Sequence, residues 1–150
     1  MKLKFLNTNE QLSFYAMEDA KLSGVPVFGD AVPAGFPSPA EDYLDMDLNL
    51  HDYLVQNPAA TFCVRANGES MVDANIQSGD VMVVDRSLNP TNNSIVLAVL
   101  DGEFTVKRIK KNEDVIYLMP ANEQYQPIKI TDDIDFQVWG VVTFIIHKAQ

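Results

Sequence analysis

Ser70 is the residue in this chain whose setting most favours nucleophilic chemistry. It lies in the segment Gly68-Glu69-Ser70-Met71, shortly after a run of strand-forming residues that ends at Ala66. A serine beside glycine after a strand is expected in an exposed loop, where its hydroxyl can reach a substrate. Most loop serines are turn or capping residues, so the serine alone is a weak signal of a nucleophile.

A serine nucleophile needs a neighbouring base, and the chain offers histidine or lysine. The two histidines, His51 and His147, leave a Ser-His-Asp triad possible, but their positions in the sequence give it no support. The single cysteine, Cys63, lies within a strand-like run and is expected in the core rather than as a second nucleophile. Lysine therefore has to be considered as the base.

A predicted hairpin gives Lys107 an unusual environment. The pair Asp101-Gly102 separates two strand-like runs, which is the strongest short-range signal for a two-residue β-turn. The expected cross-strand pairs are Leu100–Glu103, Ala98–Thr105 and Val96–Lys107. Lys107 then has an apolar cross-strand neighbour, with Thr105 two residues away on its own face. An amine packed against apolar groups loses its proton more readily and can then accept one from a serine.

The alternative is that Lys107 is a surface lysine that extends along a sheet edge, like the nearby Lys110 and Lys111. The residues by themselves favour this alternative over a catalytic lysine.

Many short strands and one short helix are predicted to position these residues. The strand candidates are residues 61–66, 80–85, 94–100, 103–109, 115–119 and 138–146. A helix is expected over 49–58, with Asn49 as its cap, Asp52 three residues on, and Pro58 as its stop. Short strands separated by turn residues predict a mostly β domain whose strands are largely antiparallel.

Residues 1–40 differ in amino-acid composition from the rest of the chain. Four of the eight prolines lie there, at Pro26, Pro33, Pro37 and Pro39. Proline donates no backbone hydrogen bond, so we expect neither a long helix nor a central strand in this stretch. The chain is accordingly divided into an extended N-terminal arm, residues 1–48, and a β-rich domain, residues 49–150.

Composition excludes several classes of protein. The chain has 150 residues, about one domain, and 47% of them are hydrophobic, which is ordinary for a globular protein. Its formal net charge of -10 argues against a protein that binds nucleic acid through phosphates. One cysteine and two histidines cannot form a zinc-finger-type site, and no cofactor is expected. No transmembrane run or signal peptide is recognisable, so we expect a cytoplasmic protein.

Three motifs in combination resemble the LexA family of self-cleaving Ser-Lys proteins. They are residues 66–71 (ANGESM), 76–85 (IQSGDVMVVD) and 101–108 (DGEFTVKR). The 37-residue spacing between Ser70 and Lys107 is also like that of the family. In the arm, Ala34-Gly35 resembles the family's self-cleavage site, a small residue followed by glycine.

The resemblance implies a fold and a set of site residues. The fold is a LexA-like peptidase domain, in which Ser70 is the nucleophile and Lys107 is the general base. The backbone amides of Glu69 and Ser70 are expected to form the oxyanion hole, and the bond between Ala34 and Gly35 is expected to be cut. Thr105 is a candidate for orienting the lysine. No metal is implied.

Residues 35–43 narrow the resemblance to the accessory subunits of the error-prone translesion DNA polymerase V. This branch implies an SOS-response protein that cleaves itself when stimulated by a RecA filament on single-stranded DNA. The shortened homodimer then joins the catalytic subunit of the polymerase, so no direct nucleic-acid or membrane contact is expected. The residues before the β domain show no helix-turn-helix pattern, which separates the chain from the DNA-binding repressors.

Two other functions remain open from the sequence. The chain could be a repressor relative without a DNA-binding domain that acts as a dimerising regulator of SOS transcription. It could also be a structural β module with an inactive site. Co-purification of a polymerase or of an intact repressor separates the first two functions, and a self-cleavage assay tests the third.

Overall fold

The computed structural model describes residues 2–8, 12–18, 25–28, 44–67, 75–119 and 126–149. Within them, strands form two antiparallel sheets, and the largely antiparallel β fold is confirmed. The strands are β1 Lys2–Thr8, β2 Leu12–Glu18, β3 Val25–Phe28, β4 Leu44–Leu48, β5 Thr61–Ala66, β6 Val81–Asp85, β7 Ile95–Leu100, β8 Glu103–Asn112, β9 Val115–Leu118, β10 Ile128–Lys129 and β11 Phe136–Ile146. Helix α1 covers Leu50–Leu54, and a 3₁₀ turn covers Pro58–Ala60.

The elements predicted after residue 48 are present close to their expected bounds. Helix α1 is capped by Asn49, whose side chain accepts a hydrogen bond from the Asp52 amide at 3.2 Å. It ends at Leu54, earlier than predicted. The β7–β8 hairpin has the predicted register, since Val96 pairs with Lys107. No helix in the described ranges has the length and apolar character needed to cross a membrane.

The main sheet has nine described strands in the order β1-β2-β5-β6-β11-β7-β8-β9-β10. Strands β2 and β8 are five strand spacings apart in this order, which would separate them by about 24 Å in a flat sheet. Yet the rings of Phe14 in β2 and Phe104 in β8 lie 5.0 Å apart. The sheet therefore curls, so that one face encloses a core and the other faces outward.

The inner face holds the largest apolar cluster. Its buried members come from five strands and from the segment before β6: Leu12, Val64, Ala66, Ile76, Met82, Val84, Leu97 and Val106. On the outer face, α1 packs Leu54 against Cys63 and Val83. A second outer cluster contains Val96, Ala98, Ile109 and Leu118. Apolar side chains pack on both faces of the sheet and hold its strands in place. The loops at the ends of the sheet therefore begin and end at fixed points.

The N-terminal expectation is wrong for residues 12–18. Strand β2 is an interior strand, paired with β1 on one side and β5 on the other, and Leu12 is fully buried in the inner cluster. The prolines that argued against a central strand begin only at Pro26, and the preceding residues carry none. The prediction that residues 1–40 contain no central strand therefore included residues 12–18, which have no proline to justify it.

Strands β3 and β4 form a separate two-stranded sheet in which Phe28 pairs with Leu44. Pro26 lies within β3, and such a ladder tolerates it because, among the described strands, each of the two has one edge without a partner. The connection between these strands, residues 29–43, contains the predicted cleavage site and lies outside the described residues. The division of the chain at residue 48 stays a prediction.

Candidate active site

Lys107 lies in the middle of β8, on the outer face of the curled sheet. Its cross-strand partner Val96 is fully buried, and so is Ala98, which pairs with Thr105. Both partners belong to the outer cluster of Ile109 and Leu118. Lys107 itself is half-buried, and a lysine on such a surface typically packs its methylene stem while its amine extends toward solvent. This is the environment that the hairpin register predicts.

The Lys107 amine is not committed to a structural ion pair in the part of the chain that the structure describes, where the ion pair found is that of His147 with Asp80. The neighbouring Arg108 differs, since its Nη1 donates to the Asn93 carbonyl at 2.7 Å. A nearby carboxylate would hold the lysine in its charged form, which cannot accept a proton. Within the described ranges, no carboxylate therefore competes with a group brought to the amine. No hydrogen bond joins it to Thr105 among the described residues, and the orienting role of Thr105 stays a prediction.

The other predicted site residues lie outside the described residues. Ser70 and Glu69 fall within 68–74, and Ala34 and Gly35 fall within 29–43. The nucleophile, the oxyanion hole and the scissile bond stay predictions.

The structure does describe the two ends of the segment that carries Ser70. At one end, the Ala66 amide donates to the Asp80 carbonyl at 2.9 Å, and the Gly79 amide donates to the Ala66 carbonyl at 2.7 Å. Asn67 is held as well, since its Nδ2 donates to Ser13 Oγ in β2 at 2.7 Å. At the other end, Ile76 is buried in the inner cluster. The segment thus leaves and re-enters the fold at fixed points.

Sequence reasoning missed one pair of polar residues in this region. His147 Nδ1 lies 2.7 Å from Asp80 Oδ1, and Asp80 is almost fully buried. Predicting this pair requires the knowledge that β6 and β11 are neighbouring strands, with Val81 opposite Ile146. Nothing local in the sequence states that pairing.

Cys63 and His51, the other candidates for a nucleophile and a base, are both buried. Cys63 is fully buried between strands, and burial raises the pKa of its thiol to about 12. A thiol of that pKa is protonated at neutral pH and is a poor nucleophile, which confirms Cys63 as a core residue. His51 is buried in α1.

Comparison with known proteins identifies the family of this chain. Residues 26–143 match the family described as Peptidase S24-like. Protein SamA of Salmonella typhimurium is 46% identical over 128 residues, which cover 85% of this chain and 89% of that protein. Protein MucA of Escherichia coli is 43% identical over 125 residues, 83% of this chain and 85% of that protein. The LexA repressor of Colwellia psychrerythraea is 33% identical over 134 residues, 89% of this chain and 63% of that protein.

The family match and these relatives span most of the chain, and the family match over residues 26–143 includes the β8 strand that carries Lys107. They support the resemblance to the SOS-related, self-cleaving peptidases. The chain therefore belongs to the Peptidase S24-like family, as a UmuD-like serine peptidase of the LexA-like kind.

Proposed function

We propose that this protein is a serine endopeptidase that cleaves itself between Ala34 and Gly35 through a dyad of Ser70 and Lys107. The observation that carries the proposal is the family match, because residues 26–143 contain all four of these residues. The register of β8 adds support, since it gives Lys107 a half-buried position without an ion-pair partner in the described part of the chain.

The chemistry follows from the two side chains. The neutral Lys107 amine accepts the proton of Ser70 Oγ, which attacks the Ala34 carbonyl carbon. The backbone amides of Glu69 and Ser70 stabilise the oxyanion that forms. The bond from that carbon to the Gly35 nitrogen then breaks, and the lysine returns its proton to the departing amine. Water hydrolyses the remaining ester and frees Ser70, which leaves residues 1–34 attached to the domain only through non-covalent contacts such as the pairing of β2 with β5.

The sequence around the bond fits a peptide that must pass close to a serine. Ala34 and Gly35 have the smallest side chains available, so little bulk separates the carbonyl from the attacking oxygen. Pro33 and Pro37 restrict the chain on both sides and reduce the entropy lost when it docks. The pairing of Phe28 with Leu44 also closes the connection that contains the bond.

Cleavage of this kind happens once per molecule, so it acts as a switch. We infer that the product beginning at Gly35 forms a homodimer and serves as the accessory subunit of polymerase V in SOS mutagenesis. A RecA filament on single-stranded DNA stimulates the self-cleavage. Cleavage, dimerisation and assembly with the polymerase all take place in the cytoplasm. The net charge of -10 favours contact with DNA through these partners over direct binding.

Incubation of the purified protein tests the peptidase proposal. The wild-type protein is expected to yield a fragment that lacks 34 residues and begins at Gly35, as identified by mass and N-terminal sequencing. Ser70→Ala should yield none. A matched control is Ser94→Ala, since Ser94 accepts from the Thr91 amide within its own turn and should leave cleavage intact. Cleavage of Ser70→Ala at the wild-type rate would reject the assignment.

The position of the bond has its own test. Gly35→Glu adds bulk and charge beside the carbonyl under attack, so cleavage should stop while the melting temperature stays unchanged. Normal cutting of this variant between residues 34 and 35 would show that the peptide does not pass close to the serine.

The role after cleavage is tested by what co-purifies with the protein from cells under DNA damage. The proposal expects the product beginning at Gly35 to carry the catalytic subunit of a translesion polymerase. Recovery of an intact SOS repressor in its place would favour the dimerising regulator of transcription.

A further inference from the structure

A buried carboxylate paired with an imidazole lies where the Ser70 segment rejoins the sheet. His147 Nδ1 and Asp80 Oδ1 are 2.7 Å apart, and the Asp80 side chain is only 3% exposed. The carboxylate oxygen is an acceptor, so the imidazole Nδ1 is the donor. Asp80 immediately precedes β6, and His147 immediately follows β11.

The pair extends an existing strand ladder by one step. Val81 of β6 is paired with Ile146 of β11, so the next residues outward are Asp80 and His147. On its other side, the backbone of Asp80 is bonded to Ala66, the last residue of β5. Asp80 therefore connects the strand that leads into the Ser70 segment with the strand that ends at His147.

The second oxygen of the Asp80 carboxylate closes the turn that ends the segment. Asp80 Oδ2 accepts from the Gln77 amide at 2.9 Å, and the Asp80 amide donates to the Gln77 carbonyl at 3.0 Å. Ile76, next to this turn, is 1% exposed in the inner cluster. The same carboxylate thus fixes the turn with one oxygen and the end of β11 with the other.

Removing the His147 donor would leave a buried carboxylate oxygen without its hydrogen bond, and removing the Asp80 carboxylate would take away the acceptor that holds both His147 and the Gln77 amide. A buried charge without partners is costly, so the turn would shift to bring the oxygen to water. The turn is a few residues from Ser70 in sequence, and a displacement of 1 Å at a reacting group can lower a rate by about 10²-fold. A nucleophile that must meet both a lysine and a peptide is sensitive to such a shift.

We propose that Asp80 and His147 are positioning residues for the Ser70 nucleophile, which they hold by fixing the turn where its segment rejoins the sheet. The inference rests on the proposed function, since it assigns a support to the same serine. His147 acts through its Nδ1 hydrogen bond and takes no proton from Ser70. A donor of another chemical type at the same place should therefore serve equally well.

Two substitutions of His147 separate positioning from proton transfer. His147→Ala removes the donor, whereas His147→Asn presents an amide nitrogen close to the place of Nδ1 and cannot act as a base at neutral pH. Both variants are expected to fold, because the His147 side chain is 49% exposed. Asp80→Asn and the double variant with His147→Ala complete the set, and Lys148→Ala, at the next exposed residue, is the control.

Two rates are measured on the full-length protein: self-cleavage, and labelling of Ser70 by a fluorophosphonate probe, which needs no docking of the arm. Both rates should fall by about ten-fold or more in His147→Ala and Asp80→Asn. His147→Asn should stay within about three-fold of the wild type, and the double variant should be no slower than the slower single variant. Lys148→Ala should match the wild type.

Wild-type rates in His147→Ala would overturn the inference while leaving the peptidase proposal intact. Equal loss in His147→Ala and His147→Asn would also overturn it, since a second hydrogen-bond donor at the same place would then not restore the rate. If the wild-type protein neither cleaves itself nor reacts with the probe, the proposed function fails, and this inference fails with it.

Discussion

The β1–β2 and β7–β8 hairpins make different contributions to the same curled sheet. The β7–β8 hairpin has six consecutive cross-strand pairs and carries Lys107. The β1–β2 hairpin has a register shift between Phe5 and Asn7 and contributes Leu12 and Phe14 to the inner cluster. One hairpin therefore carries a candidate catalytic group, and the other contributes to the core that holds the sheet closed.

The two hairpins also differ in what determines them. Asp101 and Gly102 adopt φ of 48° and 85°, the left-handed conformations of a type I′ turn that matches strand twist. The turn alone therefore sets the register that places Lys107. Strand β2 instead takes its place from tertiary pairing, since Leu12 lies opposite Ala66 of β5. Function in one hairpin is fixed locally, whereas the position of the other depends on the rest of the fold.

The largest expected effect comes from breaking the chemistry of β7–β8. Lys107→Ala should lower the self-cleavage rate by about 10³-fold or more, because no other base is expected to accept the serine proton. Lys107→Arg should fail as well, since a guanidinium stays protonated. Both variants should unfold at wild-type denaturant concentrations, as expected for a side chain that is only half-buried. The matched control is Lys110→Ala, on the exposed part of the same strand, which should cleave normally.

The pH dependence of cleavage gives the same prediction a second measurement. A lysine base must lose its proton, so the rate should keep rising as pH increases above 7. With a histidine as the base, the rate would instead level off near pH 7. A rate that is already constant by pH 7.5 would reject Lys107.

The next largest effect comes from breaking the packing of β1–β2. Leu12→Ala removes a fully buried side chain from the inner cluster and should lower the free energy of unfolding by about 2–5 kcal/mol. Under conditions where the variant remains folded, cleavage per molecule should stay near the wild-type value. Leu88→Ala, at a leucine that is 42% exposed, is the control and should cost less than about 1 kcal/mol. Equal costs for the two variants would show that β2 is not part of the core.

Strand β6 lies between the two hairpins in the sheet, and its residue Asp85 allows a test of acid stability that involves neither hairpin. Burial by itself raises the pKa of the Asp85 carboxyl, but hydrogen bonds from Asn57 and Ser87 outweigh it and lower the net pKa. The folded state therefore binds this proton less readily than the unfolded state. Its stabilisation is present above the unfolded pKa of about 3.9 and is lost as pH falls through the folded pKa.

Asp85→Asn should remove this part of the acid sensitivity. Measured by urea unfolding at pH 7 and pH 3, the difference in stability between the two pH values should be smaller for Asp85→Asn than for the wild type. Asp133→Asn, at an exposed turn residue, should leave that difference unchanged. An Asp85→Asn variant with the full wild-type difference would show that other carboxylates account for the acid sensitivity.

How far the sequence predicts this molecule depends on how local each signal is. The Asp101-Gly102 turn, the Asn49 cap and the strands from Thr61 onward other than β10 could be predicted because each signal lies within the element itself. The pairing of β2 with β5 could not, since its partner is distant in sequence. Asp80 and His147, 67 residues apart, meet only because β6 and β11 are neighbours.

The smallest effect measures how the two hairpins meet. Phe14 of β2 and Phe104 of β8 contact each other edge to face across the inner core, with ring centroids 5.0 Å apart. A double-mutant cycle with Phe14→Leu and Phe104→Leu should give a coupling of about 0.5–1.5 kcal/mol, the range expected for an aromatic pair. The measurement is the free energy of urea unfolding for the wild type, both single variants and the double variant.

A control cycle pairs Phe14→Leu with Phe136→Leu, because Phe136 packs in the outer cluster with Val96 and Ala98. Its coupling should be within about 0.5 kcal/mol of zero, as for sites without shared contacts. Coupling in the first cycle and not in the second would show that the hairpins touch through the enclosed face. Closure of the sheet then links the packing hairpin to the strand that carries Lys107. Zero coupling in the first cycle would mean that β2 and β8 do not meet in solution, and the two hairpins would be energetically independent.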